Sequence, residues 1–383
     1  MSGHAKLSPS AASRWMTCTK APSLEAGIPQ QPSEYAQEGT KAHALAELKA
    51  RSAVGLDIDT RYEKQRKLPG GSDPEMDEAA EIYAAYIKET YLAAKEACPD
   101  VMIGTEIRLD LTEWIPEGFG TADCLIVADG TLHVIDFKYG KGVLVEAEGN
   151  KQMMIYALGA LDWAGMIFDV DKVKMTIIQP RLNGISTAEM AAYELKQWGD
   201  CELGPIAALA YNGGGEYKPS EDACRFCRAN GKCQAQADHF VSLFDENEED
   251  GRLSTAEAGE ILKRAAGMKD WLARIEETVK DACLAGNDIP GWKIVEGRTR
   301  RQYTDAAEIE KRLRAKKYKV SEIYEKKLLV ISKMEKLLGK KKMGELIGDL
   351  IEKPQGSPTL VPESDKRPAW APEEETLQAF DEE

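Results

Sequence analysis

The chain has 383 residues, 43% of them hydrophobic, which is enough for one large core or two modest ones, and no apolar run approaches the roughly 18 residues of a membrane span. Its formal charge of −15 argues against nonspecific nucleic-acid binding by the surface as a whole. The start carries no apolar signal region and the eight cysteines are unevenly spaced, a pattern of reduced thiols or metal ligands in a cytoplasmic protein without a membrane partner.

In chain order, residues 37–50 (QEGTKAHALAELKA) place Ala and Leu at helical spacing behind a Gly-Thr pair and predict a helix. RYEKQRKLPGGSDP reads as a loop, and residues 75–97 after it as a long amphipathic helix. The period then changes to that of strands. MIGTEIRLDL, GTADCLIVAD and TLHVIDFKYG are short, rich in β-branched residues and separated by the turn signals EGFG and ADG, which predicts a three-stranded meander. Residues 150–165 return to helical period, KVKMTIIQP at 172–180 is a further strand, and 186–212 reads as helical throughout. A meander followed by a helical crossover into another strand makes an α/β fold, a mixed central sheet flanked by helices.

An acidic break, DENEEDGRLS, precedes a long helix over 255–286, and GWKIVEG is strand-like. From Arg298 to Lys342 sixteen Lys or Arg stand against six Asp or Glu, about +10 net, so a local basic face on an acidic protein is open to it, as is a solvated helical surface. The expected organisation is a core over 1–240, a mainly helical, basic region over 241–345, and an acidic, Pro-rich tail over 346–383 that is too poor in core residues to fold alone.

The chemistry concentrates where the strands end. Asp136 and Lys138 are two apart and leave a strand by the same face, next to the YGKG break, while Asp123 near the start of the preceding strand comes beside them in an antiparallel hairpin. Two neighbouring carboxylates repel unless a hard divalent cation takes their charge. A lysine beside them can orient or deprotonate water and offset transition-state charge. By itself the Asp-x-Lys triplet reads first as a surface salt bridge. Gln152 and Tyr156 share a face of the following helix and can reach a phosphate or position the lysine, or can be ordinary helix residues. His43, with Glu47 one turn on, offers an imidazole that accepts Mn²⁺ better than Mg²⁺, although a lone helical histidine is more often structural. Glu106 adds a possible carboxylate on the first strand of the meander.

CRFCRANGKC sets Cys224, Cys227 and Cys233 in a C-x₂-C-x₅-C pattern that can wrap one metal centre, with Cys18 the candidate fourth ligand, and spacing does not separate Zn²⁺ from an iron–sulfur cluster. Cys98, Cys124, Cys201 and Cys283 are scattered and read as packing residues.

Taken together, LSPSAASRWMTC, GTKAH, GTAD, DFK, QMMIY and the three cysteines, in that order between Leu7 and Cys233, resemble the PD-(D/E)XK superfamily, specifically RecB-like nucleases with a C-terminal cysteine cluster, as in Cas4 and the AddB nuclease domain. The chain looks closest to a phage and prophage family of that type, the DUF2800 proteins. The resemblance implies that His43, Asp123 and Asp136, with the Phe137 carbonyl and less regularly Glu106, hold Mg²⁺ or Mn²⁺. It implies further that Lys138 positions the attacking water, that Gln152 and Tyr156 form the Gln-x-x-x-Tyr motif, and that Cys18, Cys224, Cys227 and Cys233 hold a [4Fe–4S] staple. The implied activity is a DNA exonuclease of phage replication or recombination in a bacterial host, leaving 5′-phosphates and 3′-hydroxyls. No Walker A sequence is present, so any unwinding would come from a helicase partner, alongside a possible single-strand-binding or annealing protein. The rival readings are an inactive DNA-binding or scaffold protein on the same fold, and a zinc-containing interaction module.

Overall fold

The computed structural model describes residues 5–29, 34–56, 73–165, 167–242, 254–265, 267–295, 311, 315 and 339–347. A 3₁₀ turn at Pro9–Ala11 leads into α1 (Ala12–Thr17) and α2 (Ala21–Glu25), then into the long helices α3 (Glu34–Val54) and α4 (Pro74–Ala97). Helix α4 starts where Asp73 accepts the Glu75 N–H at 3.1 Å and Pro74 fills the first turn, a cap that needs no donor from proline. The meander follows as β1 (Met102–Asp110), β2 (Phe119–Ala128) and β3 (Thr131–Phe137), and the crossover as α5 (Lys151–Gly165) and β4 (Lys172–Gln179).

Residues 184–191 do not continue a helix. They form β5 (Gly184–Ala191), antiparallel to β4, and only then does the chain turn helical as α6 (Ala192–Trp198), a π turn at Gly199–Leu203, and α7 (Gly204–Tyr211). Ala, Glu and Met favour a helix locally, but pairing with β4 overrides that weak preference. The result is a five-stranded sheet in the order β1-β2-β3-β4-β5, antiparallel except for the parallel pair β3–β4 that the α5 crossover requires.

Each face of the sheet has its own core. On one face α5, with α1, α6 and α7, covers Leu125, Val134 and Ile177; on the other α3 and α4 cover Ile126, Ile135 and Phe137. Helix α5 is apolar around most of its circumference, with ten buried residues from Met153 to Ala164, because it lies between the sheet and the small helices outside it.

Beyond the sheet come α8 (Glu221–Arg225), α9 (Gln234–Val241), α10 (Thr255–Arg264) and α11 (Met268–Leu284). The single helix expected over 255–286 is broken at Gly267, whose φ of +80° is open to glycine and strained for other residues. Helix α11 packs Trp271 against Phe240, their ring centroids 4.8 Å apart, and the compact unit runs from the N-terminus to Trp292. Residues 291–295 form no strand, against the expectation for GWKIVEG. The second unit spans Lys293–Glu383, and its described residues are 293–295, 311, 315 and 339–347, the last stretch holding the helix α12 (Lys340–Ile347). Most of the basic stretch and the whole of the 348–383 tail lie outside the described residues. No described helix is long and apolar enough to cross a membrane.

Candidate metal and thiol centres

The alternation of a β-strand should send every second residue to the same core, and in β1 and β2 it fails at one place. Ile103 packs with the α3/α4 core and Ile107, four residues on, with the α5 core; likewise Cys124 and Ala122 belong to opposite cores. Between them the ladder skips a step: Thr105 pairs with Cys124 and Ile107 with Ala122, while Glu106 and Asp123, which the register sets opposite each other, make no pair. Glu106 has a φ of +51°, a left-handed conformation that costs a residue with a Cβ on the order of 1–2 kcal/mol. Non-glycine strain of this kind persists where surrounding structure fixes it, and here it turns two carboxylates out of the pleat.

On the other edge of β2 the ladder to β3 ends at Cys124–Ile135, and Asp123 takes over from the backbone, its Oδ2 accepting the Phe137 N–H at 2.8 Å. N–H and C=O of one strand residue lie along the same edge, so the Phe137 carbonyl is turned the same way. Helix α3 lays His43 over this gap, its Nδ1 3.3 Å from Asp123 Oδ2 and its ring edge-on to Phe137 at 5.4 Å. Ligand atoms of His43, Glu106 and Asp123 all lie within 4.8 Å of one another, the one such group among the described residues.

Asp136 lies beside that group and faces the lysine. It is 2% exposed, and its Oδ2 is 3.0 Å from Lys138 Nζ but lacks a hydrogen bond of good direction. Lys138 donates to Gln152 Oε1 at 3.0 Å, and Gln152 Nε2 donates to Tyr156 Oη at 3.2 Å and, at the 3.5 Å limit, to Asp136 Oδ1. Tyr156 reaches this position because Gly120 leaves room: a Cβ there would come within 2.7 Å of the tyrosine ring.

The titration of these groups follows from their crowding. Glu106 keeps an exposed side chain, but the protein packed around its carboxyl, then Asp123 and Glu47, pushes it up to about 7. Burial also raises Asp136, and Lys138 partly offsets it. Asp123 is held below the usual carboxylate range because His43 and the Phe137 N–H outweigh its burial. For His43, burial works downward and the Asp123 carboxylate outweighs it, so the net direction is up. Lys138 likewise stays above its ordinary value, since Asp136 and Asp123 overcome its desolvation. It is therefore an ammonium at neutral pH and not a base. The residues fit a divalent cation: one imidazole and carboxylates packed more closely than their charge favours, with the buried Asp136 beside them.

Glu106, which the sequence ranks below the other candidate ligands, lies in this group, and its signal is backbone strain rather than spacing. Arg181 escaped sequence reading altogether. Its side chain, 7% exposed, makes a two-pronged contact to Glu75 of α4 at 3.1 Å, reaches Glu38 of α3 at 3.5 Å and lies 4.4 Å over the Tyr139 ring, so it ties the helix that carries His43 to the end of the strand that carries Asp136. An arginine after a proline gives no sequence hint of that.

Four cysteines gather apart from this group. Cys18, Cys224, Cys227 and Cys233 line one pocket with Tyr217 and Gln236. Burial, with the neighbouring Cys18 and Cys233, raises the Cys224 thiol, and burial pushes Cys227 up to about 12. The N-terminal segment is pinned here by Glu25, 3% exposed, which accepts the Arg228 N–H at 2.8 Å and is ion-paired to Arg14 at 3.2 Å; Arg14 Nη1 in turn donates to the Phe226 carbonyl at 2.9 Å. Of the cysteines read as packing residues, Cys124 is buried in the core whereas Cys201 is exposed.

The model of the DUF2800 family, described as a protein of unknown function, matches residues 4–368, nearly the whole length, and the chain belongs to that family. Among solved structures, one described as "Crystal structure of SSO0001" is similar over 59% of this chain and 97% of its own, at 13% identity and a TM-score of 0.21.

Proposed function

We propose that this protein is a metal-dependent deoxyribonuclease built on a PD-(D/E)XK core, acting as an exonuclease in phage or prophage DNA replication or recombination. The observation that carries the reading is the convergence of His43, Glu106 and Asp123 within 4.8 Å, next to the linked Asp136, Lys138 and Gln152. A divalent ion, Mg²⁺ or Mn²⁺, would be held by His43, Glu106, Asp123 and Asp136, with the Phe137 carbonyl on the same strand edge. When bound it supplies Lewis-acid polarisation of a phosphodiester and lowers the pKa of water.

The chain's own residues then divide the remaining work. Asp123 holds His43 by the 3.3 Å contact and is itself held by the Phe137 amide, which keeps the imidazole turned into the site. Lys138 remains protonated, so its role is to place a water against the phosphorus and to stabilise the charge that develops on the phosphoryl oxygens. Gln152 fixes the ammonium from its far side and is braced by Tyr156, so one N–H donor stays directed at the reacting group. The proton of the attacking water goes to solvent or to a carboxylate.

The thiol pocket is read as a [4Fe–4S] staple, with Zn²⁺ the alternative. Its four cysteines come from the two ends of the nuclease region, and Glu25 joins the same two ends by charge. Brown colour with absorbance near 400 nm after anaerobic purification supports the cluster; a colourless protein with stoichiometric zinc rejects it. The activity is tested by a time course on end-labelled single- and double-stranded DNA with Mn²⁺, comparing wild type with Asp136→Ala and Lys138→Ala. Loss of cleavage in both variants with the fold retained is expected, and unchanged cleavage in either removes the assigned mechanism.

A further inference from the structure

Phe226 is the most exposed large hydrophobic side chain among the described residues, at 72%, and it sits between two of the cysteines that line the thiol pocket. An isolated exposed apolar residue needs no explanation, but this one does not stand on a loose loop. Its carbonyl accepts the Arg14 guanidinium, the Cys227 N–H following it bonds the Cys224 carbonyl at 3.0 Å, and Glu25 holds the Arg228 amide beyond. The ring is presented on a fixed backbone.

Its surroundings are cationic on a strongly acidic chain. Residues 225–232, RFCRANGK, contain Arg225, Arg228 and Lys232 and no acid, and all three are exposed. The Arg225 guanidinium lies 5.8 Å from the Phe226 ring centroid. A second aromatic, Tyr217 at 48% exposure, stands on the rim of the same pocket with Lys218 next to it. The acids nearest in sequence, all exposed, are Glu216 beside Tyr217, and Glu221 and Asp222 in the first turn of α8. Exposed π-faces, each with a cation alongside, match the two chemistries of an unpaired polynucleotide, a stackable base and a phosphate.

We propose that the cysteine loop is a single-stranded DNA platform, on which a base stacks against Phe226 and a second against Tyr217 while Arg225 and Lys232 meet the flanking phosphates. The choice of DNA rests on the nuclease reading of the carboxylate site; the stacking surface itself does not. It gives the thiol centre a task beyond stapling, since whatever the thiols hold would fix the loop that displays the ring.

The test is fluorescence anisotropy of 5′-labelled dT20 with the full-length, metal-replete protein in buffer without added divalent cation, across a series of KCl concentrations. Phe226→Ala is expected to weaken binding roughly 5- to 100-fold, the range of one base–aromatic stack. Phe226→Tyr should remain within about twofold of wild type because it keeps the π-face. Arg225→Ala should flatten the dependence of log affinity on log salt by about 0.7. Equal dT20 affinity of wild type and Phe226→Ala overturns the proposal, and so does a Phe226→Ala effect that appears only as a change in oligomeric state by sedimentation, which would assign the ring to a second copy of the chain. Metal and iron content measured on each variant guards against indirect loss. If wild type binds dT20 through Phe226 but cleaves nothing, the nuclease reading fails and the platform stands; if it cleaves with Phe226→Ala indistinguishable in binding, the reverse holds.

Discussion

Replacing Glu106 by Gln removes one charge from the carboxylate group and keeps the shape, so it separates what the site costs the fold from what it does for a metal. The wild-type carboxyl moves from its ordinary 4.5 up to about 7. A carboxyl that holds its proton more tightly folded than unfolded makes folding take up a proton between those values. Stability therefore falls as pH rises through the window, and above about 7 the penalty is present in full. Protonated His43, whose pKa is also raised, contributes stability that is lost as pH rises past its folded pKa. Both groups act in the same direction, so together they take stability from the metal-free protein on passing from acid to neutral pH. Glu106→Gln should melt higher than wild type at pH 8 without metal, and the difference should vanish near pH 4.5.

Metal binding should show the opposite face of the same linkage. A cation must displace the Glu106 proton below about 7, so that group alone lowers Mn²⁺ affinity roughly tenfold for each further pH unit. Glu106→Gln should bind Mn²⁺ at pH 8 at least about tenfold more weakly than wild type, as loss of a charged oxygen ligand requires, and should lose one proton of pH dependence while keeping that of His43. Calorimetric or electron-paramagnetic-resonance titration at pH 6, 7 and 8, run beside thermal melts in chelator, reads both quantities. Unchanged Mn²⁺ affinity with an unchanged pH slope would show that Glu106 is no ligand. Melts that do not rise at pH 8 would show that the carboxylates are not crowded.

Three further outcomes follow from specific contacts. Gly120→Ala places a Cβ 2.7 Å from the Tyr156 ring and should cost about 1–3 kcal/mol in urea unfolding, as overpacking does, with slower turnover because the Gln152 brace shifts. Arg181→Ala breaks a clasp whose main partner, Glu75, is half exposed, so about 1 kcal/mol is expected in stability, but Mn²⁺ affinity should fall as well, since α3 then loses its tie to Tyr139; unchanged affinity would limit Arg181 to structure. Glu25→Gln leaves Arg14 beside a neutral amide and should lower the melting temperature and speed the release of metal from the thiol centre to a chelator, whereas an unchanged release rate would show that the four cysteines hold their ends together unaided.

Much of the sheet was legible because its signals are local. The three strands of the meander, the α5 crossover and β4 each carry a clear period, and Asp123, Asp136, Lys138, Gln152 and Tyr156 fall where a strand end or a helix face places them. Strand β5 was not legible. Its second half, Ala188 to Ala191, is made of helix-favouring residues and runs on into a helical pattern, none of its residues is fully buried, and pairing with the free edge of β4 makes it a strand. The break at Gly267 was missed for a related reason, since an isolated glycine within a helical pattern is often tolerated. The Arg14–Glu25–Arg228 network joins residues some 200 positions apart, and no window of sequence holds both ends.

The break in alternation at Glu106 and Asp123 shows why the least legible feature is the one most tied to chemistry. A regular ladder would pair the two residues through their backbones and turn their side chains to opposite helical layers from those of their real neighbours, leaving His43 without a carboxylate to face. The strand accepts a left-handed glutamate and a missing pair, and the two hydrophobic cores on either side supply the packing that holds it there. The same distortion frees the outer edge of Asp123 to take the Phe137 amide just where the β2–β3 ladder ends. Strain, crowded charge and an unpaired backbone step thus meet at one point of an otherwise regular sheet. A cation that neutralises the carboxylates would be repaid there by every one of those costs, which is the physical reason to look for it between Glu106, Asp123 and His43 before any other place in the molecule.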